Sequence, residues 1–399
     1  MIVWCSVVFW GCFAFVVPRK YMRMYMILAS IGLSSLYFFY QPPVNYDLYH
    51  HYEVLHILRR YDLWTVMSGA INKYYESVET FQQGAPVYLL YAWLISRLKI
   101  DQLLTIITGI ITYISVASII LMAVDDLDED IADWKVSFCF FFLLVMLDFR
   151  GISGMRNTTA YALFAYVLYK DLVRNANKLL CIIAYLVIAN IHNSTIILII
   201  IRLMIELNRF IPKLVLMIIT LAAFSSINLI FPVLIRYAGI PMVQALIVKM
   251  NAYGFGGGTK YIFFRAAVRF TQMVFCMLLC LYCKRRIPQT KRFQKYGDVI
   301  LLFVMCAFGS IRQYDIFVRS MIFLYFAILP FLLLFLKYIV AETPFELMVP
   351  TSSMVGFSEV ALYFMIYGAM ALSLYMYYDG YYGPMDPGMI LGIKRLLLN

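Results

Sequence analysis

QLLTIITGIITYISVASIILMAV, residues 102–124, runs from end to end without an Asp, Glu, Lys or Arg. A helix needs about 20 consecutive apolar residues to cross the roughly 30 Å hydrocarbon layer of a bilayer. This stretch has that length, so it reads as a membrane span. Met1–Val17, Met24–Tyr40, Leu179–Ile201 and Leu214–Ile235 are also uncharged, counting histidine as neutral. Shorter or singly charged apolar segments are Val87–Ser96, Val136–Leu147, Thr158–Tyr169, Ala266–Cys283, Val299–Ile311, Ile316–Leu336 and Val360–Tyr378. The runs do not alternate apolar with polar residues as the strands of a membrane barrel do. Helices are the other structure that satisfies its own backbone in lipid. The expected fold is therefore all-α and polytopic, with roughly eleven to thirteen membrane helices, some re-entrant.

Composition agrees. Of the 399 residues, 63% are hydrophobic and 14% charged, and mean hydropathy is +0.81. Soluble domains carry about 45–50% apolar and about 25% charged residues. The surplus apolar surface needs lipid as its solvent. No internal repeat, low-complexity segment or soluble domain interrupts the pattern, so 1–399 reads as a single membrane domain. The start lacks the basic residues and small-residue cleavage site of a secretory signal, and Pro18-Arg19-Lys20 follows the first apolar run directly. The eight cysteines all lie in apolar segments and read as small hydrophobes, not as a zinc site or a disulfide scaffold.

The net charge of +11 gathers in three places: Arg19, Lys20 and Arg23; Lys170, Arg174 and Lys178; and the run Lys284 to Lys295. Cytoplasmic loops are enriched in Lys and Arg. Placing all three clusters inside makes 41–84 a first external (periplasmic) loop, 236–263 a second, and 284–297 a basic cytoplasmic loop. Two cytoplasmic clusters need an even number of crossings between them. One apolar segment between Arg23 and Lys170 then fails to cross, and Val87–Ser96 is the shortest. Leu179–Leu207 must break into two legs near Asn190-Ile191-His192-Asn193-Ser194. A rival arrangement takes every segment at face value and puts Lys170–Lys178 outside, against the charge rule.

Ionisable groups inside a membrane are costly and mark function. In the first arrangement a set of them approaches the outer face: Asp47, His50, His51 and Glu53; Asp148, Arg150 and Arg156; His192; Arg236, Lys249, Lys260 and Arg265; Arg312 and Arg319. Converging arginines repel one another unless an anion sits between them, and their planar forks suit phosphate oxygens. A lipid-linked diphosphate fits a cleft open to the bilayer. Arg150, Arg156, Arg236, Arg265, Arg312 and Arg319 are its candidate ligands. His192, Asp47 and Arg156 are the candidate catalytic groups, with His192 or Asp47 activating an acceptor hydroxyl. Tyr49, His50, Asn157, Lys260 and Tyr261 are candidate sugar contacts. The structural alternatives are a helix histidine bonded to a carbonyl for His192 and an ordinary loop carboxylate for Asp47. Gly254–Lys260 lacks the Gly-Lys-Ser/Thr order of a P-loop and reads as a hinge or lid. Asp125–Asp133 reads as a solvated acidic connector. No metal or cofactor and no nucleic acid is expected.

The order of short elements resembles a known family. Asp47 and Tyr49 come first, then Ala85-Pro86-Val87-Tyr88. Ile152-Ser153-Gly154-Met155-Arg156-Asn157 follows, with Ala160 one turn on. Ala189-Asn190-Ile191-His192-Asn193-Ser194 is next, and Arg319, Tyr325 and Pro330 close the series. This resembles the EpsG-like branch of the Wzy-type O-antigen and exopolysaccharide polymerases, over roughly Asp47 to Pro330. Asn157 departs from the family, which often has Gln there; the amide is kept. The resemblance implies a bacterial inner-membrane glycosyltransferase of GT-C-like fold, metal-independent and acting at the periplasmic face. Its partners would be undecaprenyl-diphosphate-linked oligosaccharide, the bilayer and a chain-length regulator protein. It would move the growing glycan from one lipid carrier to the non-reducing end of the next unit. Rival readings are a lipid-linked oligosaccharide flippase, an O-antigen ligase and a polysaccharide acyltransferase.

Overall fold

The computed structural model describes residues 2–40, 42, 47–75, 77–78, 85–127, 131–147, 154–226, 260–312, 314–338, 365–368 and 370–371. Every regular element among them is helical. Among the described residues three helices are long and apolar enough to cross a membrane: Arg19–Phe39, Gln102–Asp126 and Ala266–Arg286. A fourth candidate is the pair Arg319–Ala327 and Leu329–Tyr338, bent by 42°. Pro330 explains the bend, because it lacks an N–H and its ring clashes with the carbonyl one turn back. Cys5–Val16, Pro86–Ser96, Lys178–Ala189 and Lys213–Ser225 are shorter apolar helices.

The central elements are α1 (Ile2–Phe13), α2 (Arg19–Ser35), α3 (Asp47–Leu58), α4 (Leu63–Met67), α5 (Pro86–Ser96), α6 (Gln102–Asp126), α7 (Asp133–Met146) and α8 (Met155–Leu172). They are followed by α9 (Lys178–Ala189), α10 (Thr195–Met204), α11 (Lys213–Ser225), α12 (Lys260–Arg286), α13 (Lys291–Gly309), α14 (Tyr314–Ala327) and α15 (Leu329–Tyr338). The stretch 102–124 lies within α6, which packs between α2 and α8. A glycine permits the close approach of α2: a Cβ on Gly109 would lie 2.7 Å from Ser34 Oγ. Small residues at such contacts are what membrane helices use to pack. Hydroxyls along α6 are satisfied by carbonyls of its own preceding turn, as when Thr112 donates to Thr108 at 2.9 Å and Ser115 to Ile111 at 2.7 Å. The outer faces of α9, α10 and α11 expose Leu179, Ile183, Leu186, Ile200, Leu203, Leu214 and Ile218, as lipid-facing helices do. Cys276, Cys280 and Cys283 are buried along α12, and all eight thiols are free.

The three basic clusters lie at one end of the bundle. Lys178 and Arg202 each reach Asp171 at 2.6 Å, and Arg202 Nη1 reaches Glu206 at 2.8 Å. Glu206 in turn accepts from Lys295 at 2.6 Å. Arg174 bridges Asp125 and Asp126 at 3.0 Å each. The Arg19 backbone N–H donates to Asp133 at 3.1 Å, and Lys337 Nζ donates to the Leu127 carbonyl. The Lys170–Lys178 turn and the Lys284–Lys295 run are thus joined through Asp171, Arg202 and Glu206. Asp125, Asp126 and Asp133 are engaged by arginines rather than standing as a solvated run. Burial alone would raise the Glu206 carboxyl, but its pairing with Lys295 and Arg202 outweighs that and holds it below its usual range.

The long apolar stretch 179–207 is broken where the sequence places the break. Asn190 caps α9 and its side-chain amide donates back to the Leu186 carbonyl at 2.8 Å. The chain restarts as α10 on the His192 carbonyl, which accepts from Thr195 N–H at 3.1 Å. Asn and Ser compete with the backbone for its own hydrogen bonds, so a run of them stops a helix. Helix α5 packs on α3, α4 and the first turns of α6, so it is a short element at that end of the bundle. Its Arg97 donates to the carbonyls of Leu58, Arg59 and Tyr61 and so finishes the C-terminus of α3.

Candidate functional site

The first turn of α8 supplies Arg156 and Asn157 to the end opposite the basic turns. The Gly154 carbonyl accepts from Asn157 and Thr158 N–H and starts the helix. Arg156 is half-buried, and its guanidinium carbon lies 5.3 Å from the centre of the Tyr88 ring. Within about 6 Å of an aromatic face a cation is attracted by the ring quadrupole. Asn157 is buried, and its Oδ1 lies 3.2 Å from Ser194 Oγ. Ser194 Oγ is also 2.6 Å from His192 Nδ1, and Ser194 N–H donates to that same nitrogen at 3.2 Å. The broken span and the start of α8 therefore meet through Asn157, Ser194 and His192.

Tyr88 connects this group to α3. Its hydroxyl lies 3.0 Å from His51 Nδ1, and the two rings meet edge to face at 5.3 Å. His51 is 6% exposed. Burial, with the Arg156 charge beside it, pushes its pKa down to about 3, so the ring stays neutral. Three threonines of α6 complete the floor. Thr105 bonds the Tyr52 hydroxyl at 3.0 Å, Thr108 that of Tyr91 at 3.0 Å, and Thr112 the Thr159 hydroxyl of α8 at 2.8 Å.

Helix α14 runs parallel to α8. Phe323 meets Tyr161 and Phe164, while the Tyr296 ring meets Tyr169 and its hydroxyl donates to the Ala327 carbonyl at 2.8 Å. Arg319, one turn before Phe323, is half-buried and so stands at the level of the first turns of α8. Further along the same helix Tyr325 bonds Arg269 and Gln272 of α12, all three buried.

Other expected site residues fall as follows. Asp47 opens α3 and is exposed, one turn before His51. Tyr49 is half-buried against His50. His50 is exposed and lies 3.0 Å from Glu53 on its own helix, so it faces away from His51. Arg150, Arg236 and Gly254–Thr259 lie outside the described residues, as do the side chains of Lys260, Tyr261, Arg265 and Arg312. Among the described residues no group of three His, Cys, Asp or Glu is placed to hold a metal ion.

The sequence reading chose His50 over His51, and a period argument separates them. Leu48, His51, Leu55 and Leu58 fall on one helical face and are all buried. In the sequence Tyr88 stands only within the Ala85–Tyr88 motif, and Ser194 only within the broken turn and the Ala189–Ser194 motif; neither carries a site role there. The threonines of α6, three and four residues apart, were legible as one face of a span. In comparisons of sequence and of fold, no family model, curated relative or solved structure matches this chain.

Proposed function

We propose that the chain is a GT-C-like membrane glycosyltransferase that polymerises lipid-linked oligosaccharide repeat units, in the manner of the EpsG-like Wzy polymerases. The observation that carries this reading is the meeting of Arg156, Asn157, His192 and Ser194 at the end of the bundle opposite all three basic turns. By the charge rule the basic end is cytoplasmic, which puts the site at the outer, periplasmic face of a bacterial inner membrane. There Arg156 and Arg319 would hold the departing diphosphate and stabilise its growing charge. The sugar C1–oxygen bond to the diphosphate breaks, its electron pair leaving with the diphosphate, while C1 bonds the acceptor oxygen and the acceptor's proton passes to one of the two candidate bases, Asp47 or His192. Asp47, exposed one turn before His51, would meet the acceptor hydroxyl.

A flippase needs its charged cavity open to each side in turn. Here the opposite end carries the ion-pair chain from Lys178 to Lys295, which favours a one-sided enzyme. Deletion of the gene, followed by gel analysis of surface polysaccharide, tests the assignment. A polymerase predicts loss of the ladder with single-repeat product retained, restored by the intact gene. Polymer left on its lipid carrier with no surface attachment would instead mean a ligase.

A further inference from the structure

Hydrogen-bond bookkeeping around His192 bears on what that residue can do. Two oxygens and two nitrogens are in play: Asn157 Oδ1, Ser194 Oγ, His192 Nδ1 and the Ser194 backbone N–H. Ser194 has one hydroxyl hydrogen for two neighbours, at 2.6 Å and 3.2 Å. If it goes to Asn157, then Nδ1 must itself carry a hydrogen and donate it to Oγ. If it goes to Nδ1, then Asn157 turns its amide and donates N–H to Oγ. A hydroxyl rotates and an amide can turn end for end, so neither decides the matter. The backbone N–H of Ser194 does, because its direction is fixed by the chain. It points at Nδ1 at 3.2 Å, and a donor cannot be satisfied by another donor. Nδ1 is therefore the acceptor.

We infer that Asn157 and Ser194 act as positioning residues that hold His192 with its hydrogen on Nε2, so that His192 serves the substrate as a hydrogen-bond donor and not as the base. This rests on the proposed transferase reading for its ligand, an oxygen of the lipid-linked diphosphate or of the sugar beside it. The hydrogen stays on Nε2 throughout, and no covalent bond to His192 changes. A base must expose an unprotonated nitrogen to the acceptor hydroxyl, and here that nitrogen is turned to Ser194. The which-nitrogen question is one that a partner to the other ring nitrogen settles in histidine sites generally.

Nitrogen-15 NMR of histidine-labelled protein in lipid bilayers tests the inference without any assay of activity. The chain has four histidines, and the spectrum of His192→Gln identifies the His192 signals by difference. The expected result is an unprotonated Nδ1 and a protonated Nε2 in the neutral ring. A protonated Nδ1 with a bare Nε2 overturns the inference, and leaves the transferase reading intact with His192 as its base. Chain-length analysis provides a second readout. Gln offers an amide N–H near the Nε2 position but no base, so His192→Gln is expected to keep ladder synthesis within about tenfold of the intact protein, a change of about 1.4 kcal/mol. His192→Ala is expected to lose it. Ser194→Thr, which keeps the hydroxyl, should rescue what Ser194→Ala loses. A folded His192→Gln that has lost ladder synthesis contradicts the donor role.

Discussion

Arg156→Ala is expected to abolish long-chain product while single-repeat material continues to reach the surface. The side chain stands half-buried over the Tyr88 ring, beside the Asn157–Ser194–His192 group. A fixed cation at a site where negative charge develops acts in a low dielectric, and removing one such group costs on the order of 10²–10³ in rate. Arg156→Lys restores the charge but not the planar fork or its stacking on the ring. It should fall between alanine and the intact protein. Tyr88→Leu removes the ring face, worth about 0.5–2 kcal/mol, together with the hydroxyl that meets His51 Nδ1, and should shorten the ladder without abolishing it. The measurement is the length distribution of lipid-linked glycan on gels, with protein level in the membrane checked beside it. A ladder of normal length from Arg156→Ala would remove Arg156 from the mechanism.

Asp171→Ala is expected to give the largest loss of stability. Its carboxylate is 3% exposed and takes Arg202 Nε at 2.6 Å, Lys178 Nζ at 2.6 Å and the Tyr185 hydroxyl at 3.2 Å. Lys178 is 57% exposed, so solvent screens that contact and it contributes little. Arg202 is 10% exposed. Removing its buried partner leaves Arg202 with only the more exposed Glu206 carboxylate at 2.8 Å, so the loss falls below the about 3–5 kcal/mol of a buried cation left with no partner at all. The loss should appear as an earlier thermal unfolding midpoint in detergent. Arg202→Met on top of Asp171→Leu should recover much of it, since a buried pair replaced by apolar side chains is often neutral. If the double variant is no better than Asp171→Ala alone, the pair is not what holds α8 to α10.

Much of the architecture was legible because the bilayer imposes so few choices. Residues 102–124 had to be a helix, and the charge rule favoured putting the three basic clusters on one side, against a rival arrangement with Lys170–Lys178 outside. The break at 190–194 followed from crossing parity and from the backbone-competing side chains of Asn190, Asn193 and Ser194. Among the described residues three helices, or four counting the bent pair as one span, meet the length and apolarity of a full crossing; the eleven to thirteen segments read from the sequence include stretches outside the described residues. Membrane helices shortened by breaks, such as α9 and α10, blur any count taken from apolar length. The site was legible in part. Asn157 and Ser194 come together although 37 residues separate them, which brings Arg156 and His192 to the same end. What the sequence did not give up was pairing across helices. Nothing local links Tyr88 to His51, or Thr112 to Thr159, because each contact depends on how α3, α5 and α8 pack on α6.

The most direct test of the central claim is extension of a lipid-linked repeat unit by the purified protein in sealed liposomes, with the products separated by length. The account predicts a series of multiples, made on the face opposite the basic turns and accompanied by release of lipid diphosphate. Single units that cross the bilayer but never lengthen would contradict it.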